Sequence, residues 1–149
     1  MSPPTRVSIR SSLSRKMAVP GGRTVAEALE RAEKGLESHR EAGLVTMGLK
    51  LAWLEAAVAS RAADSTGEIY RVAADLLDMA GFFETGPFYE ATFSLCDIAD
   101  RMQAAGSWDW PSTEVHVRSM RLIMADGCRE SEPSRTVLKG LLAVARTVS

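Results

Sequence analysis

The 149-residue chain holds two histidines, and imidazole is the side chain whose ordinary pKa best suits proton or phosphoryl transfer near neutral pH. His39 stands in His39-Arg40-Glu41-Ala42-Gly43. A phosphoacceptor histidine on an exposed helix face is served by a Lys three residues on, which offsets phosphate charge. It is also served by a Gly four residues on, which lets a partner approach closely. Gly43 meets the second condition and Ala42 fails the first. His39 is therefore a candidate phosphoacceptor, and its other reading is a partly buried residue on the inner stripe of its helix. His116, in Glu114-Val115-His116-Val117-Arg118, has Met120 in place of the clearance glycine. Its apolar neighbours predict packing against a helix bundle, with the ring bridging to a neighbouring helix.

The remaining chemistry is sparse. A Glu-x-x-His pair on two helices would suggest a di-iron bundle, but Leu36 and Thr113 occupy the places three residues before the histidines. Asp97 and Asp100, with Arg101 beside them, read as a solvated face. No phosphate-binding loop, dinucleotide fingerprint, nucleophile elbow or H-E-x-x-H motif occurs. Cys96 and Cys128 lack companions at metal-ligand spacing and are expected as reduced thiols. The expectation is a protein without catalytic residues, metal or cofactor.

The elements that must carry these residues are helices. Thr24-Val25-Ala26-Glu27 is a capping box. From there Val25, Leu29, Ala32, Leu36, His39, Gly43, Met47, Leu51, Leu54 and Val58 follow in steps of three or four, the helix period. This predicts one long helix of up to about 38 residues, with a bend or break near Gly43. Its near-heptad spacing would also permit pairing with a second copy. Ser65-Thr66-Gly67-Glu68 predicts a second cap, and Gly81 is placed to end that helix. Pro87 opens a third helix that Gly106 closes. A fourth starts at Trp110-Pro111, and Pro133 starts the last. No segment alternates with period two.

Length and composition agree with this. The chain is close to the roughly 150 residues of a typical domain, 46% hydrophobic and 25% charged. A net charge of −1 argues against a dedicated nucleic-acid partner. No apolar run approaches the roughly 20 residues of a membrane span, and none is expected. Arg6, Arg10, Arg15, Lys16 and Arg23 stand in an acid-free, serine-rich start. With no signal-peptide core after it, the expected compartment is the cytoplasm. The expected fold is all-α: an up-down bundle of about five helices with one long N-terminal helix. Residues 1–22 are expected as a flexible basic tail and 23–149 as a single helical-bundle domain.

Aromatics supply the candidate binding surface. Phe82, Phe83, Phe88, Tyr89 and Phe93 put five of nine aromatics within twelve residues, and Trp108 and Trp110 flank the far end of that helix. Most are expected in the core, locking the elbows between helices. Others would form an exposed patch of the kind enriched at interface centres, with Phe83 and Trp108 the members expected outside.

Pro20-Gly21-Gly22 leading into a long Ala- and Glu-rich helix, Ser94-Leu95-Cys96-Asp97, and Trp110 followed by Val115-His116-Val117 and Arg121-Leu122 resemble the CheE-like chemotaxis protein family of alphaproteobacteria. The resemblance covers residues 19–147. It implies a helical adaptor or modulator in the bacterial cytoplasm, with a response regulator or chemotaxis kinase as protein partner, docked on a receiver domain through a helix face. It brings no catalytic residues. Arg40, Gly43, Phe83, Tyr89 and Trp108 are the candidate partner-binding residues. The alternatives are a histidine phosphotransfer protein acting through His39, and a homodimer formed by the long helix.

Overall fold

In the computed structural model, residues 24–148 are described, so the basic tail expected over 1–22 lies outside the described residues. The fold is all-α, and among the described residues its elements are α1 (Val25–Ser60), α2 (Thr66–Phe82), α3 (Pro87–Ala105), α4 (Trp110–Ala125) and α5 (Glu132–Ala145), with a 3₁₀ turn at Ala63–Ser65. The described residues divide into two units, the first ending at His39 and the second beginning at Arg40, so the division falls inside α1.

The first unit contributes the start of α1. Its capping box forms as its residue types dictate: Glu27 N–H donates to Thr24 Oγ1 at 3.2 Å, and Thr24 N–H donates to Glu27 Oε2 at 3.1 Å. Two of the donors orphaned at a helix start are thereby satisfied. Lys34 pairs with Glu30 one turn back at 3.2 Å. Every residue from Thr24 to His39 is exposed.

The second unit is the bundle. α3 is its centre, packing against α2, α4 and α5, while α4 also packs on α5. Phe88, Ala91, Leu95, Ile98 and Met102 of α3 are buried, and they share one core with Leu51 and Leu54 of α1, Leu76 of α2, Met120 and Ile123 of α4 and Leu141 of α5. Arg121 of α4 ties α1 down: its Nε donates to Glu55 Oε1 at 2.7 Å and its Nη2 to the Gly48 carbonyl at 3.4 Å.

Helix ends follow local chemistry, with two departures from expectation. Pro87 takes the first turn of α3, and Gly106 closes it in the left-handed region at φ 70°. Asp109 caps α4 by accepting from Ser112 N–H, and Ser131 caps α5 by accepting from Ser134 N–H. The cap expected at Ser65 does not form: Ser65 Oγ donates back to the Ala62 carbonyl at 2.6 Å, and Glu68 turns to Arg71. Nor does Gly81 end α2. The helix continues through Phe82, and the positive φ falls at Glu84 and Gly86 instead. Gly81 serves packing, because a Cβ there would stand 3.3 Å from the Tyr89 ring.

α1 is unbroken across Gly43, so the break that the sequence allowed there does not occur. Gly43 is buried, and the ring of Phe83 fills the space that its missing side chain leaves.

Candidate functional site

Within the second unit α1 has two apolar faces. Gly43, Met47, Leu51, Leu54 and Val58 are buried. On the opposite side Val45, Leu49 and Trp53, four residues apart, are 66%, 69% and 40% exposed. At 100° per residue those three share one stripe. Ordinary surface helices put charge on that face. A groove of about 320 Å³ runs beside it, where Leu49, Lys50 and Trp53 of α1 meet Glu68, Arg71 and Asp75 of α2. Apolar residues on both faces make α1 long and apolar enough to cross a membrane, with an 18-residue window of mean hydropathy 1.4. Counting uninterrupted apolar runs misses this, because Lys50 and Glu55 interrupt them.

The candidate residues are distributed differently from the expectation. His39 is exposed. Arg40 is half-buried, with Nη2 donating to the Cys128 carbonyl at 3.3 Å, so its charge holds the loop after α4. Gly43 and Phe83 come together: a Cβ on Gly43 would lie 2.2 Å from Phe83 Cζ. The clearance that Gly43 was expected to offer a partner is taken by this chain's own ring. Phe83 is accordingly half-buried rather than outside, and Phe82, set edge-on to it at 5.0 Å, is the exposed member. Trp108 is also half-buried, 5.7 Å from Trp110, with its indole N–H enclosed and without an acceptor among the described residues. Tyr89 and Phe93 are exposed.

Sequence reasoning did not single out Val45, Leu49 and Trp53. Their signal was present as a second four-residue period, but it was masked by the stronger core stripe on the same helix.

His116 is fully buried. Its Nδ1–H donates to the Ser112 carbonyl at 2.8 Å, which leaves Nε2 to accept from Ser94 Oγ at 2.9 Å. Burial, the largest influence, holds its pKa below the ordinary histidine value; the hydrogen bond to the Ser112 carbonyl opposes this, and nearby Arg101 adds to the lowering. A neutral imidazole beside a hydroxyl has the parts of a nucleophile and base. Ser94 also borders a cleft of about 600 Å³ between α3 and α5, walled by Tyr89, Phe93 and Leu142 with Arg101 and Arg146. Ser94 lies in the middle of α3, however, where backbone N–H groups are spent on the helix and none is left for an oxyanion. Ser94 and His116 act as a polar tie between α3 and α4, the bridging role expected from the apolar neighbours of His116.

The thiols of Cys96 and Cys128 are unbridged, and burial pushes each up to about 11. Among the described residues no group of three His, Cys, Asp or Glu side chains could hold a metal ion. No family model, curated protein or solved structure matches the chain.

Proposed function

We propose that this chain is a non-enzymatic adaptor or modulator of bacterial chemotaxis or two-component signalling, docking a protein partner through the outward face of α1. The observation that carries the docking role is the exposed row Val45, Leu49 and Trp53. An apolar row with an aromatic anchor is the composition of an interface centre. The signalling role rests on the resemblance to the CheE-like family, and with it go a cytoplasmic location and a receiver domain or chemotaxis kinase as partner. Phosphotransfer through His39 has less support: His39 is exposed, but Gly43 is covered by Phe83.

The test is calorimetric titration of the full chain against purified receiver domains and chemotaxis kinase from the same organism, with radiolabelled phosphate followed in parallel. Binding without label on this chain supports the adaptor. Acid-labile label that disappears in His39→Gln replaces it with the phosphotransfer reading, and neither binding nor label overturns both.

A further inference from the structure

The steps from Val25 to Leu29, Ala32 and Leu36 are four, three and four residues, the a/d repeat of a two-stranded coiled coil. The row is open: Val25 is 55%, Leu29 59% and Leu36 70% exposed, and Ala32 is exposed as well. Its borders are Ala26, Ala28, Gly35 and a single charge, Glu33. The other charges, Glu27, Glu30, Arg31, Lys34 and Glu37, fall on the outer heptad positions.

We infer that residues 25–36 form a self-association surface, a short coiled coil of four core positions with the same segment of a second copy of this chain. A heptad row calls for a helix as its occupant. Coiled coils that choose a different chain do so by charge at the border positions. Here those positions are almost uncharged, so two identical rows meet with little repulsion and small residues let them approach. An isolated helix of this length is marginal in water, so pairing also stabilises the segment itself. A membrane surface fits less well, since the outer charges are of both signs and mostly acidic instead of the Lys- and Arg-rich face of an interfacial helix. Twelve residues span only about 18 Å and bury less than the roughly 1,200–2,000 Å² of a standard interface. The dimer is therefore weak and reversible, and it is separate from the docking face at Val45, Leu49 and Trp53.

The experiment is sedimentation of the full chain from low micromolar to near-millimolar concentration, with circular dichroism on the same samples. The wild type is expected to move from monomer towards dimer and to gain helical signal as it does. Leu29→Glu with Leu36→Glu, at two exposed positions that folding tolerates, weakens the association at least about 100-fold. Leu49→Glu leaves it unchanged while weakening partner binding at least about tenfold, so failure of this surface and failure of the adaptor reading are distinguishable. A wild type that stays monomeric overturns the inference. So does a double variant that still dimerises, a Leu49→Glu protein that does not, or a segment that binds lipid vesicles in place of its copy.

Discussion

The tip of the Phe83 ring lies against the backbone of Gly43, so near that a Cβ there would stand 2.2 Å from Cζ. Ordinarily Gly→Ala inside a helix gains about 1 kcal/mol. Here the methyl group must push the ring out of its seat, and overpacking costs about 1–3 kcal/mol. Gly43→Ala is therefore expected to be neutral or destabilising by up to about 2 kcal/mol, the difference of those two effects. In a Phe83→Ala background the same change is expected to stabilise by about 1 kcal/mol, because only the helix preference remains. Urea denaturation of the four proteins of this cycle measures the coupling. Equal effects in both backgrounds would show that ring and glycine do not touch.

A second prediction concerns pH. The folded pKa of His116 is below its ordinary value, mainly through burial, so below about pH 6.5 the unfolded chain binds a proton that the folded one refuses. Its contribution to stability is complete above the unfolded pKa and is lost as pH falls, by at most about 1.4 kcal/mol per pH unit. Denaturant midpoints are expected to drop between pH 7.5 and 5.5, and to drop less in His116→Gln. An identical slope in the two proteins would assign the loss to other groups.

Removing the hydroxyl at the same tie gives a third. Ser94→Ala leaves His116 Nε2 buried with no donor, and such a group costs about 1–3 kcal/mol. His116→Gln in the Ser94→Ala background should then cost less than it does alone. Additive losses would mean that the 2.9 Å contact is not energetically coupled.

The thiols supply a fourth. With both Cys96 and Cys128 pushed up to about 11 by burial, little thiolate is present at pH 8. Ellman's reagent is expected to label native protein slowly and denatured protein at once. Rapid labelling of two thiols in the native state would contradict their burial.

The fold was legible where one physical signal dominated. Apolar steps of three and four residues, Pro87 and Gly106 marked helices that the bundle needs, and the capping box at Thr24 formed as its residue types required. Where two demands competed, reading failed. Gly81 resembles a helix stop, but the chain uses its bare Cα to seat Tyr89. Gly43 looked like a clearance for a partner and is a seat for Phe83. Neither can be read locally, because the ring that needs the space lies 8 or 40 residues away in sequence. Exposure was hardest to foresee: Phe82 and Phe83 are adjacent and alike, and only the turn after α2 decides which one faces water.

On the outward face of α1 proposed to dock a signalling protein, Leu49 is the most exposed residue of the row. The decisive experiment compares the affinities of wild type and Leu49→Glu for the chemotaxis receiver domains and kinase, with helical content checked in both. Binding by the wild type is expected, with a loss of at least about tenfold in the variant, or some 1.4 kcal/mol, and folding unchanged. Undiminished binding by Leu49→Glu, or no binding by the wild type, would contradict docking through this face.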